Sequence, residues 1–148
     1  MEGIKVGVKK LRDGANLPRY GSAYAAGADL CACITEELVI KAGQTVLVPT
    51  GIAIELPMGL VGLIYARSGL ASKRNLAPAN KVGVVDCDYR GEVMVALHNH
   101  GSVDQTVLPG ERIAQLVIAP YITALFEETD ELSETVRGEG GFGSTGQI

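Results

Sequence analysis

The segment TVLVPTGIAIELPMGLVGLIY, residues 45–65, is rich in β-branched and aliphatic residues. Its apolar runs are 45–48, 52–56 and 60–65, and the turn sequence PMG at 57–59 separates the last two. Short apolar runs bounded by proline and glycine are typical of β-strands. The segment therefore predicts three consecutive strands.

The same pattern continues on both sides of this segment. Near the N-terminus Ile4, Val6 and Val8 alternate with Lys or Gly, which is the two-residue period of a half-buried strand. Residues 68–74 are the one helix candidate, which is short and interrupted by glycine. Further apolar runs that predict strands are 38–40, 82–85, 93–97, 105–108 and 113–118. So many short strands in 148 residues predict a single all-β domain, either a sandwich, a jelly roll or a barrel.

Charge is distributed unevenly along the chain. Lys and Arg number 13 and Asp and Glu number 17, so the net charge is −4. Residues 1–126 carry 12 basic and 11 acidic side chains, whereas residues 127–148 carry one Arg and six acids and are rich in glycine. A near-neutral body without a basic stripe predicts no nucleic-acid partner, because phosphate backbones are bound by clustered Lys and Arg. The change in composition predicts a β domain over 1–126 and a flexible C-terminal arm over 127–148.

The cysteines and the N-terminal residues bear on the location of the protein. Cys31, Cys33 and Cys87 are odd in number, and the first residues lack the basic and apolar regions of a signal peptide. No apolar run approaches the roughly 18 residues that span a bilayer, so no membrane partner is expected. These features predict a cytoplasmic protein with free thiols.

Residues 85–91, VDCDYRG, stand between two apolar runs and predict a hairpin with carboxylates at its tip. Asp86 and Asp88 are then candidates for a general base that orients a water molecule. The alternative is an ordinary polar loop in which Asp supplies turn chemistry. Cys87 is a poor nucleophile here, because the neighbouring negative charges disfavour its thiolate.

Two further segments offer groups that suit a phosphate. Arg67 and Ser68 directly follow a strand, and a guanidinium, a hydroxyl and the N–H groups of a helical turn can bind phosphate oxygens. The alternative is a strand end with an exposed Arg. The arm sequence RGEGGFGSTG at 137–146 combines glycine N–H groups with Arg, Ser and Thr donors, and Phe142 is placed to stack on a base. A flexible linker accounts for the glycines alone, so the arm is predicted to close over a ligand as a lid.

Several isolated polar residues carry a weaker signal. Asp29 follows small residues and is expected in an Asx-type turn, and Gln115 is unusual inside an apolar strand. His98 and His100 share one face of a strand, but two histidines fall short of the three protein ligands that catalytic zinc usually takes. No zinc site is predicted.

Five segments in this order resemble the five motifs of the trimeric dUTP pyrophosphatase (dUTPase) family. They are 26–30, 67–71, 80–92, 110–115 and 137–146, and they span nearly the whole chain. The resemblance implies a distorted jelly-roll or β-clip-like barrel with one short helix and a glycine-rich arm. It also implies Mg2+-assisted hydrolysis of dUTP to dUMP and pyrophosphate, which supplies dUMP for dTMP synthesis and keeps uracil out of DNA. The pair Tyr65-Ala66 before Arg67 departs from the Pro or Gly that many members carry.

The resemblance also implies a role for each matching residue. Asp86 would orient and activate the water that attacks the α-phosphorus, and Asp29 would hold, through water, an Mg2+ ion that the triphosphate mainly binds. The residues implied to contact the phosphates are Arg67, Ser68, Gly69 and Gln115, with Arg137, Gly143, Ser144 and Thr145 of the arm. Those implied to enclose the deoxyuridine are Asn80, Gly83, Val84, Val85 and Met94, with Tyr89 against the sugar and Phe142 over the uracil.

The family further implies a homotrimer in which each of three sites draws on more than one chain. Two alternatives stay open at the level of sequence. The first is a dCTP deaminase of the same fold, which would need a suitably placed Glu near the predicted hairpin. The second is a nucleotide-binding regulatory protein without turnover. Every implied catalytic position carries a chemically competent residue, which favours the hydrolase.

Overall fold

A computed structural model describes residues 3–141, and within that range it contains twelve strands and one helix. The strands are β1 (Gly7–Lys10), β2 (Arg19–Tyr20), β3 (Ala28–Cys31), β4 (Leu38–Ile40), β5 (Thr45–Pro49), β6 (Ile52–Glu55), β7 (Leu60–Tyr65), β8 (Leu76–Pro78), β9 (Gly83–Val85), β10 (Met94–Asn99), β11 (Gln105–Val107) and β12 (Arg112–Pro120). The helix α1 covers Ser68–Arg74. In the described part of the chain, no helix is long and apolar enough to cross a membrane. The prediction of an all-β chain with one short helix is confirmed.

The strands of the described range form four small antiparallel sheets. The largest has the strand order β2-β3-β12-β7-β9, and a second has the order β5-β10-β8. The pairs β1-β6 and β4-β11 form the other two. The long strand β12 lies at the centre of the largest sheet, between β3 and β7. Residues far apart in sequence therefore lie side by side across this sheet.

The core between the sheets consists of aliphatic side chains. Leu30, Ile40, Leu97 and Ile113 expose at most 1% of their surface. Burying a side chain of this size contributes roughly 1.5–3 kcal/mol before the entropy cost of folding. With no Trp and only two Phe in the chain, these aliphatic contacts carry most of the packing.

Three strands were not predicted from the sequence. β2 is too short to show a pattern, β8 ends on a proline, and β3 contains Asp29 between small residues. The Asx-type turn predicted at Asp29 is wrong, because β3 pairs with β2 on one side and β12 on the other and so has an extended backbone. The ladder bonds of two neighbouring strands outweigh the local turn preference of Asp.

The hairpin predicted at 85–91 is also wrong. β9, which precedes this segment, pairs with β7, whereas β10, which follows it, pairs with β5 and β8. The segment is a loop that passes from the five-stranded sheet to the three-stranded sheet, with a tight turn in which the Tyr89 N–H donates to the C=O of Asp86 at 3.2 Å. A pattern of apolar runs indicates where strands lie but does not reveal which strands pair.

Charged side chains brace this 86–91 loop. Arg90 Nη1 donates to the C=O of Cys87 at 2.7 Å. Glu92, directly after the loop, accepts a hydrogen bond from Arg12 Nη1 at 2.8 Å and another from the Gly51 N–H at 2.7 Å. The Arg12 guanidinium holds the pKa of the Glu92 carboxyl below its usual range. Glu92 therefore stays ionised at neutral pH and ties the end of the loop to the body.

Candidate active site

Two arginines converge on Asp29 in β3. Arg67 Nε donates to Asp29 Oδ1 at 2.8 Å, and Arg112 Nη1 donates to Asp29 Oδ2 at 3.1 Å. The Asp29 side chain is only 14% exposed, whereas Arg112 is 57% exposed. One carboxylate between two guanidiniums leaves a net positive charge. Arg67 Nη1 donates to the C=O of Arg112 at 3.4 Å, and the exposed Arg112 has further N–H donors. This arginine cluster (Asp29, Arg67 and Arg112) suits an anion with several oxygen acceptors.

A one-residue bulge brings Arg112 into the cluster. Arg112 pairs with Cys31 and Ala114 with Leu30, so the register shifts between them. Regular alternation would place Arg112 on the opposite face from Gln115; the bulge turns it to the same face, which is why sequence reasoning missed it. Burial, together with the Asp29 charge, raises the pKa of the neighbouring Cys31 thiol, which therefore stays neutral.

Gln115 lies directly beside the arginine cluster. It pairs with Asp29 on one side and Tyr65 on the other, and its Nε2 donates to the C=O of Ala66 at 2.8 Å. A Cβ added at Gly27 would lie 2.6 Å from Gln115 Oε1, so glycine leaves the room that the Gln115 side chain occupies. The polar residue inside an apolar strand thus lies on the half-buried face next to the two arginines.

Ser68 and Gly69 begin α1 directly after Arg67. Arg67 has an extended backbone, with φ −83° and ψ 128°, and no side chain caps the first turn of the helix. Ser68 and Gly69 are exposed, and a Cβ at Gly69 would meet no atom within 4 Å. The hydroxyl and the N–H groups of this turn therefore lie open to solvent directly after Arg67 in the chain.

A second group of predicted residues lies at the edge of the five-stranded sheet. In the described range β9 pairs with β7 alone, and Val84 is 64% exposed. A Cβ at Gly83 would lie 3.4 Å from Asn80 Nδ2, which places the Asn80 amide beside this strand. Lys81 has φ 65° in the tight turn between them. An amide next to an open strand edge offers donors and acceptors for the edge of a planar ring.

Asp86 and Tyr89 lie in the 86–91 loop that follows β9. The Asp86 carboxylate is exposed, and Tyr89 is 46% exposed. Tyr89 Oη donates to the C=O of Glu92 at 3.0 Å. A Cβ at Gly91 would lie 2.3 Å from Tyr89 Oη, so the phenol ring lies directly over this glycine. The loop thus presents two exposed carboxylates, Asp86 and Asp88, and one aromatic ring of fixed orientation.

Asp86 and the arginine cluster are far apart within one chain. Val85 pairs with Gly62, so Asp86 lies beside position 61, whereas Arg67 follows the other end of β7 at Tyr65. At about 3.3 Å per residue, the stretch from 61 to 67 spans about 20 Å. The backbone positions of Asp86 and Arg67 therefore lie at opposite ends of β7.

The remaining predicted residues lie outside both groups. Met94 pairs with Pro49 and lines an open groove with Leu47. Arg137 Nε donates to the C=O of Gly140 at 2.7 Å, within the arm itself. The residues that lie outside the described range are Phe142, Gly143, Ser144 and Thr145.

Asp29 is the one carboxylate of the arginine cluster that could contact a metal ion. Among residues 3–141 there is no group of three or more His, Cys, Asp or Glu side chains that could hold a metal ion. Both oxygens of Asp29 already accept hydrogen bonds from arginines. Mg2+ typically keeps several waters and binds one or two carboxylates together with substrate phosphates. By this criterion Asp29 could contact Mg2+ only through water and together with phosphates of a ligand.

Fold and site together define an all-β protein with a binding surface for a polyanionic ligand. The sequence profile of the dUTPase family matches residues 13–146. The chain belongs to the dUTPase family. It is 50% identical over 146 residues, 99% of both chains, to a deoxyuridine 5'-triphosphate nucleotidohydrolase of Syntrophotalea carbinolica. A protein of the same name from Desulfitobacterium hafniense is 52% identical over 149 residues, 99% of both chains.

Solved structures of dUTPases share the fold. The dUTPase of Staphylococcus bacteriophage 80alpha with dUpNHpp superposes with a TM-score of 0.87 at 29% sequence identity, covering 96% of this chain and 98% of that chain. A variant of the same phage enzyme with dUpNHpp gives a TM-score of 0.87 at 28% identity and the same coverage. The jelly-roll-like architecture that the resemblance implied is confirmed.

Proposed function

We propose that this chain hydrolyses dUTP to dUMP and pyrophosphate. The observation that carries the proposal is the arginine cluster beside Gln115 and the start of α1. It occurs in a chain that is about half identical to proteins named dUTP nucleotidohydrolases. The phosphates of dUTP match the donors of this cluster, and the uracil matches the strand edge at Asn80 and Gly83.

In this proposal the phosphates bind first and the water is then activated. Arg67 neutralises part of the negative charge on the triphosphate. Gln115 and the N–H groups of Ser68 and Gly69 donate hydrogen bonds to the phosphate oxygens and stabilise the charge that grows on them. Asp86 accepts a proton from a water molecule as its oxygen attacks the α-phosphorus. The bond from the α-phosphorus to the bridging oxygen breaks, and pyrophosphate leaves with the electron pair. The products are dUMP and pyrophosphate.

In this proposal Mg2+ binds together with the triphosphate of dUTP. The ion, when bound, neutralises phosphate charge and helps to orient the leaving group. Asp29 would hold it through water, since its two oxygens are shared with Arg67 and Arg112. The same Asp29 keeps both guanidiniums directed at the phosphates.

A homotrimer with shared sites is the second part of the proposal. The separation of about 20 Å between Asp86 and Arg67 along β7, at the rise of a strand, supports a site to which different chains contribute. Exposed apolar side chains also support assembly: Ile122, Leu125 and Phe126 each expose at least 95% of their surface in the single chain. Contiguous apolar residues of this kind usually mark a contact surface.

The arm completes the site in this proposal. Arg137, Ser144 and Thr145 would contact the outer phosphates with the N–H of Gly143, and Phe142 would stack on the uracil. Asn80, Val84, Val85 and Met94 would line the base pocket. The division into a body over 1–126 and an arm over 127–148 belongs here too, supported by the end of β12 at Pro120. The free thiols of the three cysteines support a reducing compartment such as the cytoplasm.

Tyr89 is proposed to exclude ribonucleotides. We expect Tyr89→Ala to raise kcat/KM for UTP relative to dUTP by about tenfold, because loss of the ring opens space for a 2′-hydroxyl. Gly91→Ala, whose Cβ would collide with the same ring, is expected to shift discrimination in the same direction. Asp88→Asn, at an exposed position of the same loop, is the control and keeps discrimination unchanged. Unaltered discrimination in Tyr89→Ala contradicts this role.

The proposed function is tested by product release from four nucleotides in parallel. Pyrophosphate is followed with Mg2+ from dUTP, dCTP, dTTP and UTP, and ammonia is followed in the dCTP sample. Fast pyrophosphate release from dUTP alone is the expected result. Ammonia from dCTP assigns the chain to the deaminase branch instead. Binding of dUTP without any turnover assigns it to a regulatory nucleotide-binding protein.

A further inference from the structure

Arg74, the last residue of α1, makes three contacts on a neighbouring part of the fold. Its Nε donates to Gln105 Oε1 at 3.1 Å, its Nη1 pairs with Glu111 Oε1, and its Nη2 donates to the C=O of Thr106. The side chain is 30% exposed and that of Glu111 21%, so both are half-buried. A planar guanidinium is the one side chain that can satisfy three acceptors in this arrangement.

Glu111 is held just as firmly on its other side. Its Oε2 accepts a hydrogen bond from the Leu108 N–H at 2.9 Å, within the turn that precedes β12. Its backbone C=O accepts from the Ala32 N–H at 2.8 Å, just beyond β3. The next residue is Arg112 of the arginine cluster. Glu111 therefore links the end of α1 to the turn that carries Arg112.

The two ends of α1 are thus tied to one turn. The start is tied by Arg67, which shares Asp29 with Arg112, and the end is tied by the pair Arg74–Glu111. α1 has seven residues, and Leu70 is its one buried residue. So short a helix has little stability of its own and depends on tertiary contacts. Arg67 and Arg112 also repel each other, so the cluster needs outside support.

We propose that Arg74 and Glu111 form a helix clamp that positions Arg67, Ser68 and Gly69 for the phosphates of the nucleotide. The inference rests on the proposed function and adds two positioning residues, neither of which touches the substrate. Loss of the clamp should weaken binding of the phosphates and leave binding of the nucleoside at β9 unchanged. Structural damage to the whole protein would instead weaken binding of the phosphates and of the nucleoside alike.

The test compares Arg74→Met, Arg74→Lys and Glu111→Gln with wild type. We expect Arg74→Met to lower kcat/KM for dUTP by about tenfold, mainly through KM, because a modest misplacement of binding groups has effects of this order. The inhibition constant of deoxyuridine, which has no phosphate, should stay within about twofold, since β9 is untouched. Arg74→Lys keeps the positive charge, but its ammonium group cannot reach all three acceptors at once. Its kcat/KM for dUTP should therefore lie between those of wild type and Arg74→Met. The double variant Arg74→Met/Glu111→Gln should have nearly the same kcat/KM for dUTP as Arg74→Met alone, because the two side chains act as one pair.

Lys41→Met is the matched control, because it replaces a cation by methionine at an exposed position before β5. It should match wild type in both measurements. Wild-type kinetics in Arg74→Met, or equal losses for dUTP and deoxyuridine, overturn the clamp while the proposed function stands. If wild type itself does not hydrolyse dUTP, the proposed function is wrong, and the role proposed for the helix clamp is wrong too. Should Arg74→Met fail to fold, Arg74→Lys and Glu111→Gln, which keep part of the contacts, decide the question.

Discussion

Asp86→Asn is expected to lower kcat for dUTP by at least about 100-fold while dUTP binding is kept, the usual cost of losing a general base. The amide cannot accept a proton from the attacking water at neutral pH. The exposed carboxylate makes no side-chain bond that holds the 86–91 loop, whose bracing comes from Arg90 and from Glu92. The loop should therefore keep its shape in the variant. Turnover in stopped-flow assays and dUTP affinity by calorimetry are the measurements.

Asp88→Asn supplies the matched control for this prediction. The change is chemically identical, and it falls two residues further along the same exposed loop. We expect kcat close to wild type, since Asp88 has no part in the proposed mechanism. If Asp86→Asn keeps nearly full turnover, or if Asp88→Asn loses as much, the assignment of the base is wrong.

Truncation after Glu134 is expected to remove most activity, about 100-fold in kcat/KM, while assembly and melting temperature change little. The deletion takes away Arg137 and the glycine-rich segment that would close over the nucleotide, and closing lids supply positioning and exclude water. Within the described residues, the side-chain hydrogen bonds of the arm are internal, as between Arg137 and Gly140 and between Thr129 and Glu131. Val136, which the truncation removes, is fully exposed in the single chain, so few contacts to the body are lost.

Truncation after Gly146 is the control for the lid. It removes only Gln147 and Ile148 and keeps the whole 137–146 sequence, so activity should match wild type. Light scattering and thermal melts of both truncated proteins separate a catalytic loss from a loss of assembly. Full activity after removal of 135–148 would contradict the proposal that the arm acts as a lid.

The local sequence pattern predicted most of the strands and the helix. It did not predict structure that depends on pairing between segments distant in the chain. The run of β7 and the short helix α1 are properties of neighbouring residues, and the structure contains them. The strand predicted from Ile4, Val6 and Val8 is found only in part, because β1 begins at Gly7. β3 could not be predicted in this way, because its extended backbone depends on pairing with β2 and β12. The predicted hairpin failed for the same reason, since two adjacent runs joined different sheets.

The site shows the same division. The chemistry of Arg67 and Asp86 is visible in the residue types and their place after strands. The role of Arg112 is not, because a bulge determines which face it occupies. The clamp of Arg74 and Glu111 was invisible too: the partners are distant in sequence and half-buried ion pairs have no periodic signal. Such contacts appear only when the register of the sheet is known.

The most direct test of the central claim, dUTP hydrolysis at a site that no single chain completes, is the activity of mixed assemblies. Asp86→Asn and Arg67→Gln chains are co-refolded in equal amounts and assayed for pyrophosphate release from dUTP. Each variant alone should be nearly inactive. With random mixing, about one quarter of the sites draw an intact Arg67 from one chain and an intact Asp86 from another, so about a quarter of wild-type activity should return. A mixture as inactive as its two components would contradict the shared site.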